Sequence, residues 1–145
     1  MDRLSVPGAL SSLGQIRQYV LAAARAAELD HRKAYRLSLA VDEIATNIVV
    51  HGYAEAGRNG TIDVWADMDE QALSISLEDT GVAFDPHQNP RPDDLALPLE
   101  QRRTGWLGIY LAIDGVDQLL YQRIGDRNRN TFIVNRTGAG ALAQG

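Results

Sequence analysis

An acid, an amide and an imidazole follow one another at intervals of four residues in the segment AVDEIATNIVVHGY, residues 40–53. Side chains four apart stack on one side of an α-helix, so Glu43, Asn47 and His51 form a polar column. The column lies beside an apolar stripe, at the edge of the core where a cleft would open. Each residue alone is equally typical of the polar boundary of an amphipathic helix, so a functional interpretation of the column needs a second feature.

That second feature is Asp79, which ends the alternating segment ALSISLED. The two-residue period of a strand points Asp79 toward the covered face, where an ionised carboxylate is costly unless it is hydrogen-bonded or paired. Two interpretations remain open. Asp79 either turns back to cap the following turn, or accepts a hydrogen bond at the bottom of a pocket from a donor such as an exocyclic amine. Gly81 would let the backbone turn closely beside such a ligand.

A third feature is the segment TGWLGIYL, which places Gly105 and Gly108 at the start of a helix with Thr104 as its N-cap. The free backbone N–H groups and the positive end of a helix favour a phosphate. The same glycine spacing also occurs in plain turns into helices.

Composition excludes several classes of protein. The net charge of -5 and the pI of about 5.1 argue against a dedicated nucleic-acid binder. Lys33 is the single lysine, so neither a G-K-[ST] phosphate loop nor the V-A-I-K strand of ordinary protein kinases can be written. Without cysteine there is no disulfide or thiolate site, and the three histidines lack metal-ligand spacing.

The 145 residues and the 45% hydrophobic content are typical of one globular domain. We expect that domain to span residues 1–145, with a core over about residues 5–135 and a frayed tail at 136–145. Neither a signal peptide nor a membrane-spanning run is visible, which predicts a soluble cytoplasmic protein.

Hydrophobic periodicity predicts the order of the elements. A short strand ends at Pro7, and two helices follow, one over about residues 9–28 and one capped by Asp30 that stops at Gly52. TIDVWADM and ALSISLED form an antiparallel hairpin, GWLGIYLAID forms a helix, and DQLLYQRI and TFIVN close a second hairpin around GDRNRN. This order predicts an α+β two-layer sandwich, a mostly antiparallel sheet covered on one face by helices. The long, proline-rich segment 80–104 suggests a lid or binding loop.

Together, a helix with E-x-x-x-N, a strand ending D-x-G, a lid and a glycine-rich helix start resemble the ATP-binding (Bergerat-type) fold shared by gyrase, sensor histidine kinases and MutL-type mismatch-repair ATPases. Within that superfamily, AVDEIATNIVVHGY, LEDTGVAFDP and GWLGIYL resemble the free-standing anti-sigma-factor serine kinases of bacteria. The resemblance covers about residues 5–135, and the string DE-x-x-TN-x-x-x-HGY is its most specific part.

The resemblance implies roles for individual residues. Asn47 would hold Mg²⁺ at the phosphates of ATP, and Glu43 would act as general base on the attacking hydroxyl. Asp79 would receive the adenine amine, supported by Thr131, while residues 86–104 would form the ATP lid. The remaining nucleotide contacts would come from Gly81, Ala83, Arg103, Thr104, Gly105, Trp106, Leu107 and Gly108.

Two positions depart from the pattern that the resemblance sets. Ala83 replaces the second glycine of D-x-G-x-G, and Trp106 stands where a glycine is common. His51 is expected to be structural, with contact to phosphate or to Glu43 as the alternative. Arg102 and Arg103 would stabilise charge on the γ-phosphate or form a solvated basic pair.

The resemblance implies an ATP- and Mg²⁺-dependent protein-serine kinase that is also an anti-sigma factor. It would bind a sigma factor or another regulatory protein and phosphorylate a serine of an anti-anti-sigma protein, without contacting nucleic acid or a membrane, and it could form a homodimer. The alternatives are a nucleotide-dependent sequestering module with little or no kinase activity, and a detached catalytic domain of a sensor histidine kinase. The last would need a phospho-accepting histidine, and the surroundings of His31 do not resemble one.

Overall fold

The structure is a computed structural model that describes residues 1–88 and 106–136, with the backbone alone for residues 106–108 and 111. Five antiparallel strands form one sheet in the order β1-β2-β3-β5-β4. They are β1 (Leu4–Pro7), β2 (Thr61–Met68), β3 (Ala72–Asp79), β4 (Gln118–Ile124) and β5 (Arg127–Asn135). Helices pack against one face of this sheet, so the predicted α+β sandwich is confirmed.

Within residues 1–88 and 106–136 the second layer consists of three α-helices, α1 (Leu13–Ala26), preceded by a 3₁₀ turn at Leu10–Ser12, α2 (His31–Asn47) and α3 (Trp106–Asp114). Their apolar sides meet the inner face of the sheet in one core, in which Leu37, Val41, Ile75 and Phe132 are almost fully buried. No helix in the described ranges is long and apolar enough to cross a membrane.

The second helix begins as predicted and ends differently. Asp30 caps its first turn, since the Asp30 carboxylate accepts a hydrogen bond from the backbone N–H of Lys33 at 2.8 Å. At the other end the helical structure does not stop at Gly52. Instead α2 continues directly into a π-helical segment, Ile48–Ala54. The wider π-helical turn keeps Gly52 and Tyr53 buried inside the molecule.

The last hairpin is also longer than predicted. β5 begins at Arg127, so the connection with β4 is a tight turn at Gly125–Asp126 instead of the loop GDRNRN. Asn128 and Asn130 therefore lie within a strand, and their side chains take the same face as Phe132 and Val134.

Candidate functional site

A pocket opens between the end of α2 with its π-helical continuation and the end of the β3–β5 pair. The turn after β3 forms its rim. The residues that line this pocket, called the base pocket below, are Ile44, Asn47, Ile48, Gly52, Asp79, Val82, Phe84, Asn128 and Asn130.

Asp79 lies at the base of this pocket with 3% of its surface exposed. Its Oδ1 accepts hydrogen bonds from the Gly81 backbone N–H at 2.8 Å and from Asn128 Nδ2 at 3.0 Å. Its Oδ2 is buried and has no partner among the described residues. Burial raises the pKa of Asp79, although the hydrogen bonds from Asn128 and Gly81 act in the opposite direction. Asp79 therefore contributes a desolvated acceptor without a described partner to the pocket.

The capping interpretation of Asp79 agrees with the structure, and acceptance of a hydrogen bond from a ligand stays a prediction for the second oxygen. Oδ1 caps the turn by accepting the Gly81 N–H, while Oδ2, on a side chain that lines the pocket, is buried and has no partner among the described residues. The turn is held close to the π-helical segment, because the Gly52 carbonyl accepts a hydrogen bond from the Val82 N–H at 3.2 Å. A Cβ added at Gly81 would lie 2.8 Å from the Gly52 carbonyl oxygen, so this close approach requires glycine.

The expected support of Asp79 by Thr131 is wrong. The register of β3 and β5 pairs Thr131 with Ser76 on the outer face of the sheet, where their hydroxyls lie 3.2 Å apart. The pocket instead receives Asn128 and Asn130, which alternate with Thr131 along β5. Asn130 is buried, and its Oδ1 is a second acceptor without a described partner.

These two asparagines are the site residues that the sequence interpretation missed. The signal was present in the alternation of Asn128, Asn130, Phe132 and Val134, which places all four on the core side. Assignment of the segment GDRNRN to a turn, because glycine, aspartate and asparagine favour turns, hid that signal.

Asn47 reaches the base pocket from α2 and is 7% exposed. Its Nδ2 donates a hydrogen bond to the backbone carbonyl of Glu43 at 2.9 Å. This bond fixes the orientation of the amide, so Oδ1 is the atom that remains to accept a hydrogen bond or to ligate a cation.

Glu43, one helical turn before Asn47, lines a different cavity of about 480 Å³ between α2 and α3, together with Arg36, Leu39, Ala40, Ala112, Asp114 and Gly115. Burial raises the pKa of Glu43, and the neighbouring negative charge of Asp42 raises it further. Both effects make the carboxylate a better proton acceptor. Glu43 and Asn47 thus place a carboxylate in one cavity and an amide in the other, about 6 Å apart along the helix.

His51 is satisfied within its own segment. Its Nδ1 lies 2.6 Å from Oε1 of Glu55, the residue that follows the π-helical segment, at hydrogen-bonding distance. This arrangement agrees with the structural role expected for His51.

The other predicted contacts are described only in part. Ala83 is exposed beyond the turn at Gly81. Trp106, Leu107 and Gly108 open α3. Four predicted contacts lie outside the described residues: Arg102, Arg103, Thr104 and Gly105. The expected lid is described only at its 3₁₀ turn, Pro86–Gln88, and residues 137–145 of the expected tail are outside the described residues.

Comparison with known proteins gives a family and several relatives. The family model for the histidine kinase-like ATPase domain matches residues 6–134. A serine-protein kinase RsbW from Bacillus thuringiensis (strain Al Hakam) is 36% identical over 78 residues, which cover 52% of this chain and 48% of the relative. The protein of the same name from Bacillus cereus (strain AH187) is 37% identical over 79 residues with the same coverage. The aligned region thus spans about half the length of the curated relatives it matches.

Among solved structures, the histidine kinase domain of the blue-light activated histidine kinase from Erythrobacter litoralis EL346 superimposes with a TM-score of 0.52. The superposition covers 91% of this chain and 63% of the other at 18% sequence identity. At that identity the likeness concerns the fold alone.

Proposed function

Because the chain belongs to the histidine kinase-like ATPase domain family, we propose that it binds ATP in the base pocket and transfers the γ-phosphoryl group to a serine of a partner protein. The observation that carries this proposal is the buried, unpartnered Oδ2 of Asp79. A desolvated carboxylate oxygen is costly unless a donor reaches it, and the exocyclic amine of adenine is such a donor.

The lining of the base pocket suits a flat heteroaromatic ring in its chemistry, and with a cavity of about 20 Å³ the turn after β3 must move outward to admit one. Ile44, Ile48, Val82 and Phe84 supply apolar surface, and Asn128 is hydrogen-bonded to Asp79 among the polar lining residues. Such a pocket, apolar with a few convergent polar atoms, is typical of small-molecule sites.

Asn47 fits the role of a magnesium ligand, because its free Oδ1 is a hard oxygen donor at the phosphate side of the base pocket. In residues 1–88 and 106–136 no group of three or more His, Asp or Glu side chains could hold a metal by itself. This agrees with the usual habit of Mg²⁺, which is held by one or two protein oxygens together with substrate phosphates and neutralises their charge.

Glu43 supplies the proton acceptor for the serine hydroxyl. The cavity that it lines is open between α2 and α3, so a serine-bearing segment entering there would reach Glu43 one helical turn from the phosphates. The raised pKa of Glu43 favours acceptance of the hydroxyl proton as the phosphoryl group is transferred.

The relatives named serine-protein kinase support the choice of serine as acceptor. We extend the proposal to an anti-sigma factor of a partner-switching system, in which the phosphorylated partner is an anti-anti-sigma protein and the sequestered partner is a sigma factor or another regulatory protein. Such a protein acts in the cytoplasm.

The test uses the full chain, ATP labelled at the γ-phosphate, Mg²⁺ and the cognate anti-anti-sigma protein. We expect label on a serine of the partner. Glu43→Gln should lower the transfer rate by about 10²-fold or more while nucleotide affinity stays within about twofold, whereas Asn47→Ala should weaken both. Exposed Glu70→Gln, in the turn between β2 and β3, is the matched control for removal of a carboxylate.

Binding of ATP without label on the partner would reject the kinase and favour a nucleotide-dependent sequestering module. The departure at Ala83 from the family's second glycine favours that second function. Label on a histidine of this chain would instead support the catalytic domain of a sensor histidine kinase.

A further inference from the structure

Asn128 lines the base pocket with 3% of its surface exposed, and its side chain makes several hydrogen bonds. Its Nδ2 lies 3.0 Å from Asp79 Oδ1, 3.1 Å from the Gly81 carbonyl and 3.1 Å from the Val82 carbonyl. One amide from β5 therefore holds both the carboxylate and the turn that follows it.

The other end of the Asn128 amide is held by β4. Its Oδ1 accepts hydrogen bonds from the Tyr121 hydroxyl and, at 3.1 Å, from Arg123 Nη1. Arg123 Nη1 also donates to the Gly81 carbonyl at 3.3 Å. Two donors on Oδ1 fix the orientation of the amide, so that Nδ2 faces Asp79.

Asp79 consequently presents its two oxygens very differently. Oδ1 already accepts two hydrogen bonds, whereas Oδ2 accepts none from the described residues. Of the two carboxylate oxygens of Asp79, only Oδ2 is left to accept a hydrogen bond, and its position is fixed by the bonds to Oδ1. A 6-aminopurine can donate to it, but a 6-oxopurine in the same pose would place its carbonyl oxygen against the carboxylate.

We propose that Asn128 is a positioning residue that makes the pocket selective for 6-amino over 6-oxo purine nucleotides, by fixing Asp79 with one oxygen directed at the base. This inference rests on the proposed function, since it assigns a selectivity device to the same ATP site.

Asn128 also acts on the protonation of Asp79. Burial raises the pKa of Asp79, and the Asn128 hydrogen bond is the largest of the effects that oppose the rise. Without Asn128 we expect the pKa to rise further, because a donor that favours the charged form is lost. A protonated Asp79 can donate its O–H to a 6-oxo group, so selectivity should decrease with falling pH.

The experiment measures binding of ATP and ITP, which differ in the 6-position of the base, by calorimetry from about pH 5 to about pH 8. The variants are Asn128→Ala and Tyr121→Phe, which removes one of the donors that orient Asn128. Asn135→Ala, an exposed asparagine of the same strand, is the matched control. The pKa of the Asp79 carboxyl is followed by NMR in nucleotide-free protein.

We expect the wild type and Asn135→Ala to bind ATP more tightly than ITP throughout this range, with a smaller fall of the affinity ratio in acid than Asn128→Ala shows. In Asn128→Ala the ratio of ATP affinity to ITP affinity should fall by about tenfold at neutral pH and further in acid. The pKa of Asp79 should be higher in this variant than in the wild type. Tyr121→Phe, which keeps Asn128 and is the milder change to the fold, should shift the ratio in the same direction by a smaller factor.

The role of Asn128 would be overturned, and the proposed function would stand, if the wild type bound ATP and the variants kept the wild-type ratio of ATP affinity to ITP affinity at every pH. A wild type that binds neither nucleotide would overturn both.

Discussion

We expect the burial of Asp79 to destabilise the folded protein. The carboxylate is 3% exposed, and one oxygen lacks a partner among the described residues. Folding removes this group from water without full compensation, which is costly for a charge. Residues that break the rules of stability in this way are expected where they serve binding.

Asp79→Asn should therefore stabilise the nucleotide-free protein while weakening nucleotide binding. The asparagine Oδ1 can still accept from Gly81 and Asn128, and a neutral Nδ2 replaces the unpartnered anion. That Nδ2 is a donor and would face the adenine amine, so affinity should fall at least about tenfold. We expect a gain of about 1 kcal/mol in the free energy of unfolding at neutral pH, measured by urea denaturation.

The stability gained by Asp79→Asn should depend on pH. The pKa of Asp79 is raised above its ordinary value of 3.8 by folding. Below that value both states are protonated and there is no penalty; the penalty grows as pH rises through the folded pKa and is full above it. The advantage of Asp79→Asn should thus vanish in acid. Asp67→Asn, an exposed aspartate of the same hairpin, is the control, and an equal gain there would contradict the explanation.

At the scale of elements, the site depends on contact between the π-helical segment and the turn after β3. The Gly52 carbonyl accepts from the Val82 N–H, and Gly81 packs directly on Gly52. Tyr53 reinforces the junction, since its hydroxyl donates to the Thr61 carbonyl at 2.6 Å and accepts from the Thr80 N–H at 2.8 Å. The backbone around Asp79 is thereby fixed from the helical layer.

Gly81→Ala should disrupt this junction. The added Cβ would lie 2.8 Å from a backbone oxygen, so the turn must move away from Gly52. We expect a loss of about 1–3 kcal/mol in the free energy of unfolding, together with weaker nucleotide binding. Both are read from urea denaturation and calorimetry.

Gly14→Ala provides the opposite control. Gly14 lies exposed in α1, and an added Cβ would meet nothing within 4 Å. Alanine there should stabilise the protein by about 0.5–1 kcal/mol, because glycine is the poorer helix former. A Gly81→Ala variant as stable as the wild type would contradict the close packing on Gly52.

Strand alternation could be predicted from the sequence, whereas the π-helical turn and the start of β5 could not. Asp79 was placed on the inner face correctly, because strand alternation with Leu73, Ile75 and Leu77 is a local property. The π-helical turn through Gly52 was not foreseen, since a glycine after an apolar stripe normally signals a helix end. Pairing with β3 overrides the turn preference of Asn128 and Asn130, and that pairing is a tertiary effect.

At the scale of the whole molecule, the two faces of the sheet differ in how their buried carboxylates are paired. Next to Asp79, Glu78 points outward and accepts hydrogen bonds from Arg127 Nη1 and Arg129 Nε, each at 2.8 Å. Trp65 lies beside this cluster, with the guanidinium groups of Arg3 and Arg129 at 4.0 Å and 5.2 Å from its ring centre. The outer carboxylate is paired where the inner one is left partly unpaired.

Glu78→Gln should accordingly destabilise the protein, the opposite of Asp79→Asn. Burial alone would raise the pKa of Glu78, but the hydrogen bonds from Arg129 and Arg127 lower it below its ordinary value of 4.5. The stabilisation is therefore complete above about pH 4.5 and is lost as pH falls through the folded pKa. Because both arginines are partly exposed, we expect a loss of only about 1 kcal/mol at neutral pH.

Denaturation followed by tryptophan fluorescence, from acid to neutral pH, checks both carboxylates together. The two variants should diverge in opposite directions from the wild type as pH rises and converge on it in acid, since each neutral amide then replaces a protonated acid. Exposed Glu70→Gln removes the same charge without the arginine partners and should follow the wild type. If Glu78→Gln instead matched Glu70→Gln at neutral pH, the outer cluster would contribute nothing to stability, and net charge alone would govern the acid limb.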